Sequence, residues 1–360
     1  MLDFLSHFRV MIRDVKGLVV VLMALLLTGC NENKSREKPD VSKIDVNVRL
    51  LRFDKDLQAF NSGDFSAWRN EMINRYGAFY KFYISNFVVG PRPAGDTADI
   101  EQQAISRFLS DKYIRIIQDS ISARFSKTDD VEQDLKLMFR YFKHYVPQFE
   151  APEIITINSA YGAGVSPFGN NQLIIGLDMF LGEDNRDYDS VGVYAYLRHK
   201  MKREYIARYA AEALYEEHFP SIEMAADVNL IDAIIERGKK LYFISYLFPD
   251  APDSMILGYT ASQTKWCNES EYAIWQFLND KDLLYKNNAM EKTRYLGEGP
   301  GTNGMPPEAP GAIGNFVGLQ IVRKFMKENG KGITMPDLMN NYDAKVILAK
   351  SKYRPAKSNF

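Results

Sequence analysis

The stretch YLRHKMKREYIARYAAEALYEEHFP, Tyr196 to Pro220, decides how this chain is read. Its pattern predicts the body of one long helix, Val193 to His218, carrying two histidines, several carboxylates and a basic run. A helical zinc hydrolase needs histidines at i and i+4, so that both rings meet one ion on one face. The glutamate after the first histidine would be its general base. The chain's four histidines are His7, His144, His199 and His218. None has a partner at that spacing: Arg203 follows His199 by four, and Leu214 precedes His218 by four. His199 also lies inside RHKMKR, whose cations oppose a metal. The helix is therefore not a zinc helix, and neither metal nor cofactor is expected.

Other catalytic sets are equally thin. No G-x-S-x-G elbow occurs. Cys267, in KWCNESEY, has no histidine nearby and reads as a small buried hydrophobe. The glycine-rich GAGVSPFGNN leads into a strand and lacks the Lys-Ser/Thr ending of a P-loop, so it reads as turn chemistry.

Composition sets the outer limits. The chain has 360 residues, 46% hydrophobic and 25% charged, an ordinary globular balance. A net charge of -1 gives no bulk electrostatic case for nucleic acid or anionic lipid. The N-terminus is more specific. Leu18 to Leu27 is an apolar run too short for the ~20 residues of a membrane span. Arg13 and Lys16 precede it and Thr28 and Gly29 follow, the order of an export signal. Either Met1 or Met11 serves as its start. The ending L-T-G-C resembles a bacterial lipobox, which implies cleavage before Cys30 and acylation (palmitate among the chains) of that cysteine. Asn31 to Asp40 has no apolar residue and reads as a tether. The organisation expected is residues 1–29 signal peptide, 30–43 lipidated cysteine and tether, and 44–360 one globular domain.

Within that domain, Ile44–Phe53 alternates as a strand, and helices are predicted over Asp54–Tyr83, Asp99–Phe125 and Asp129–Tyr145. Glu153–Ile157 and the run from Leu173 form a hairpin around a glycine-rich connection. Further helices follow at Asp227–Phe248, Ser262–Leu278, Gly311–Asn329 and Pro336–Lys350. Gly238 weakens the middle of its helix. The fold class is α+β, predominantly helical, with a small early β-sheet.

The lipobox, IDVNVRLLRFDKDL, IIGLDMFLG, KREYIARYAAEAL, LGYTASQTKWCNESEYAIWQFL and PGAIGNFVGLQIVRKFM occur in that order over nearly all of the mature chain. In that order and spacing they resemble the gliding-motility lipoprotein GldB family. The family in turn looks like a distant cousin of zinc peptidases with an H-E-x-x-H helix, which implies a zincin-like fold. Arg203-Glu204-Tyr205-Ile206-Ala207 lies over that motif, with Glu204 in the general-base place and Arg203 and Ala207 in the ligand places. The resemblance thus implies a non-catalytic envelope protein that assists gliding or the associated secretion machinery. It would keep a degenerate cleft lined by Glu204, Tyr205, Arg208, Tyr259 and Trp266. Its partners would be the membrane, through the anchor, and other envelope proteins meeting Trp266–Phe277 or the loop Gly297–Gly311. The alternative is a periplasmic hydrolase or ligand-binding protein using that cleft, with Glu204 and Tyr205 or Tyr259 as acid and base. The domain is expected to face the periplasm. Which membrane holds it stays open, with Asn31 after the cysteine favouring the outer one.

Overall fold

The computed structural model describes residues 38–60, 63–90, 98–280 and 283–357. By contacts the chain divides into Met1–Lys38 and Pro39–Phe360, and the second unit carries all the elements below. Signal, lipobox and most of the tether lie outside the described residues, and so, apart from Gly90, does GPRPAGD (90–96), a run whose glycines and prolines read as a loop.

In chain order the elements are β1 (Leu50–Arg52), α1 (Phe53–Gln58), α2 (Phe65–Tyr76), α3 (Ala78–Tyr83) and a π-helical turn Ile84–Val89. There follow α4 (Ala98–Ser110), α5 (Lys112–Arg124), α6 (Asp129–Tyr145), β2 (Glu153–Ile157), β3 (Val165–Phe168), β4 (Gln172–Gly176) and α7 (Asp187–Ser190). The remainder is helical: α8 (Ile206–His218), α9 (Leu230–Leu247), α10 (Asp253–Leu257), α11 (Ala261–Glu269), α12 (Glu271–Asp280), α13 (Ala289–Leu296), α14 (Gly314–Asn329), α15 (Met335–Asn341) and α16 (Ala344–Ser351).

The sheet has the order β1-β2-β4-β3. β1 runs parallel to β2, with Leu50 opposite Ile154, and β2 runs parallel to β4, with Ile155 opposite Ile174. β3 pairs antiparallel with β4 at the edge and contains Pro167. This corrects the expected hairpin: EIITI and LIIG are parallel neighbours, and the connection between them contributes the extra edge strand. The physical reason is burial on both faces. Ile155, Ile157 and Ile174 join one apolar cluster with Phe53, Phe79 and Tyr83 of the early helices. Ile154, Leu173 and Ile175 join the main core with α6, α8, α9 and α14. Strands covered on both sides are continuously apolar, and that is the mark of parallel pairing.

Several helical spans break where a cap interrupts them. Asp111 ends the run from Asp99 and caps α5, accepting from the Tyr113 and Ile114 amides. Asp64 starts α2 in the same way. The span Ser262–Leu278 divides into α11 and α12, and Pro336–Lys350 into α15 and α16. The strand from Ile44 shrinks to Leu50–Arg52.

The long helix from Val193 is also corrected. Ala195–Lys200 and Arg203–Tyr205 are 3-10 turns, separated by a bridge between Lys202 and Leu181, and the α-helix begins at Ile206. His199 meets the Gly258 carbonyl, and Lys200 and Met201 are both buried. Three consecutive side chains drawn inward cannot share one face of a helix.

Gly238 has a purpose that propensity hides. A Cβ there would lie 2.2 Å from the Gly318 carbonyl oxygen, and a Cβ on Gly318 would lie 2.0 Å from that of Ile234. α9 and α14 thus cross with backbone against backbone.

Candidate functional site

α8 and α9 pack together across a layer of paired charge. Arg208 on α8 is buried; it donates to the Met255 and Ile256 carbonyls at 3.2 and 3.0 Å and pairs with Glu212 one turn on. Lys240 on α9 reaches Glu216 at 2.7 Å and Glu212 at 3.2 Å. Arg237 pairs with Glu223 at 2.6 Å and donates to Asn315 on α14. Buried cations are costly unless paired and hydrogen-bonded, and here each one is. Burial pushes Glu212 up, but Arg208 and Lys240 more than offset this and hold its carboxyl well below the usual range. Glu212 is therefore a fixed anion at neutral pH and has no proton to donate.

A second cluster adjoins the first at Glu298, on the glycine-rich loop before α14. Its carboxylate accepts from the buried Lys200 ammonium at 2.6 Å. The same carboxylate acts on Arg208, Tyr209 and Tyr259. Burial raises the Tyr205 and Tyr209 hydroxyls, and Arg208 pulls both back. The Tyr259 hydroxyl, pushed well up by burial, donates to the Ala312 carbonyl at 2.7 Å. The loop itself is closed on its own backbone: Thr302 donates to the Pro310 carbonyl, and a Cβ on Gly311 would strike the Gly299 carbonyl at 2.3 Å.

Of the residues singled out in the sequence, Arg208 and Tyr259 therefore lie in the field of Glu298, and Tyr205 stands in that of Arg208. Glu204 is exposed and faces α6: together with Asp130 its charge raises the Asp134 carboxyl there. Arg203 beside it is stapled to Asp130 and to the Arg124 and Lys127 carbonyls. Trp266 is half-buried against the main core, next to a buried Cys267 whose thiol is pushed up to about 12 by burial. Cys30 lies outside the described residues. The histidines each have separate neighbours: His199 at Gly258, His218 at the Leu214 carbonyl and against Phe142, and His144 edge-on to Tyr145. Among the described residues no group of three or more His, Cys, Asp or Glu is placed to hold a metal ion. None of the described helices is long and apolar enough to cross a membrane.

Lys200 and Glu298 escaped the sequence reading because 98 residues separate them and neither stands in a motif. A third feature did leave a signal. Asp178 follows β4 and is fully buried; it accepts from the Ser159 amide at 2.8 Å, the Ser159 hydroxyl at 2.7 Å and the Tyr161 amide. Burial pushes its carboxyl up, and those donors pull it back. Ala160 and Tyr161 are left-handed at φ 51° and 62°, a strain this carboxylate sustains. The signal was polar residues just past two continuously apolar strands, at NSAYG and GLD.

Fold and charge layer together define an α+β domain, mostly helical, built on a small mixed sheet and a polar helix pair. The profile of the family described as "Gliding motility protein GldB" matches residues 34–355, and the chain belongs to that family. No curated protein and no solved structure matches it.

Proposed function

We propose that this chain is a lipid-anchored, non-catalytic component of the cell envelope that assists gliding motility, the associated secretion machinery, or both. Family membership over residues 34–355 carries this reading. Cys30 behind its lipobox supplies the anchor, and the domain faces the periplasm. Two local features support a binding rather than a catalytic role. The place of the zinc helix is held by Arg203, engaged with α6, and Ala207, buried in the core. Glu204, in the general-base place, is exposed and acts on Asp134 of α6. Envelope partners would meet the surface formed by the Glu298 loop and the half-buried rings of Tyr205 and Trp266.

The test is deletion of the gene and complementation. Deletion should abolish surface spreading and impair secretion; Glu204→Gln should restore both, and Cys30→Ser should not. Normal motility and secretion after deletion would sink the assignment. Failure of a stably folded Glu204→Gln protein, with zinc near one per chain in protein purified without chelator, would install the hydrolase instead.

A further inference from the structure

The second half of α6 is basic on its outer side. From Lys136 to Tyr145 the helix carries Lys136, Arg140, Lys143 and His144 and no carboxylate. Its acidic residues, Asp129, Asp130, Glu132 and Asp134, all lie before Lys136. Lys136 and His144 are exposed, and so is Leu137 between them, at 47%. Among the described residues no carboxylate forms an ion pair with Lys136 or Lys143; Glu132, one turn before Lys136, accepts from the Thr128 hydroxyl instead. Cations in the last turn of a helix complement its dipole, which accounts for Lys143 and His144. It does not account for Lys136, Arg140 or the exposed leucine.

The N-terminal segment is fixed to this same helix. Arg140 Nε donates to the Ile44 carbonyl at 3.0 Å, and Val41 and Val46 are buried in the core that α6 helps to form. Lys43 is exposed between them. The chain between Cys30 and Lys38 spans at most about 28 Å when fully extended. A bilayer holding Cys30 lies within that reach of Lys38.

We infer that the Lys136–His144 face of α6 docks on the anionic headgroups of the membrane that holds the anchor, with Leu137 entering the interface. This rests on the reading of Cys30 as the anchor. Each lysine near such a surface strengthens attachment about fivefold, and the effect is screened by salt. The tether then sets proximity and α6 sets orientation, leaving the rest of the domain turned outward.

The processed protein, reconstituted on vesicles of phosphatidylcholine alone or mixed with phosphatidylglycerol, is exposed to an amine-reactive label and mapped by mass spectrometry. Lys43, Lys136 and Lys143 should lose labelling on the mixed vesicles relative to phosphatidylcholine alone, and high salt should restore it. Lys327, Lys331 and Lys350, exposed at and beyond the ends of α14 and α16, should not change. Equal rates on both vesicles, or equal protection at those three lysines, would overturn the docking face. The same digest weighs the Cys30 peptide. Acylated Cys30 with unprotected α6 overturns docking alone, bare Cys30 with protected α6 overturns the anchor alone, and a bare Cys30 with unprotected α6 overturns both.

Discussion

Gly238→Ala separates two accounts of one residue by sign. Helix propensity alone makes alanine the better residue in mid-helix, by about 1 kcal/mol. The structure opposes this. The new methyl carbon would lie 2.2 Å from the Gly318 carbonyl oxygen and 2.3 Å from its carbon. Ordinary contact requires α9 and α14 to separate by about 1 Å along a close-packed seam. The obstructing atoms are backbone, so no rotamer change relieves the clash, and the cost falls at the upper end of overpacking, about 3 kcal/mol. The net expectation is a loss of about 2 kcal/mol, and a Tm lower by about 3 °C. Gly318→Ala should behave alike, its Cβ meeting the Ile234 carbonyl oxygen at 2.0 Å. Gly164→Ala, with open space around its Cβ, is the control and should be neutral or slightly stabilising. Urea unfolding of the three variants at a common slope reads the result. A Gly238→Ala protein as stable as the parent, or more so, would refute the backbone contact and restore the propensity reading.

Burial together with Asp130 and Glu204 raises the Asp134 carboxyl above its usual 3.8. A raised acid favours the folded state most below its unfolded pKa, and that advantage is lost as pH rises through the folded value. Asp134→Asn should match the parent at low pH and exceed it at neutral pH in thermal melts. Cys267, fully buried with its thiol near 12, should resist a thiol reagent at pH 8 in the folded protein and react at once in denaturant. Glu298→Ala should leave the Lys200 ammonium buried without its carboxylate. Because Glu298 is more than half exposed, stability should fall by only about 1 kcal/mol. The visible effect should be faster proteolysis within residues 297–311.

Where one local rule governed a segment, the sequence reading and the fold agree. α6 spans Asp129–Tyr145 as its acidic start and the following Pro147 required, and β2 spans Glu153–Ile157 as its apolar run required. The mostly helical class with a small early sheet follows from the same periodicities. Disagreement came where distant partners overrode local pattern. Lys200 and Met201 are drawn inward by tertiary contacts, so a stretch helical in composition starts its α-helix only at Ile206. β3 stayed hidden because VSPF is four residues long and includes a proline that only an edge tolerates. Parallel pairing was within reach, since EIITI and LIIG lack the alternation a half-exposed hairpin would show. The Lys200–Glu298 contact was not, because pairing between remote charges leaves no periodic trace. Arg208 was chosen by a motif register and Tyr259 separately, and both lie in the field of a carboxylate that neither reading included.

The pairing of β1 with β2 bears on how the molecule is made. Leu50 finds Ile154 only after roughly a hundred residues have been gathered in, and closing so long a loop is entropically slow. A chain delivered amino end first presents β1 long before its partner exists. Until then the early helices can bury Phe53 and Phe79 among themselves, while Leu50–Arg52 waits without a neighbour. The sheet is thus a late joint rather than a nucleus. A chain stalled before residue 153 would hold an unpaired strand at its amino end, the form in which it is most exposed to holding factors and proteases.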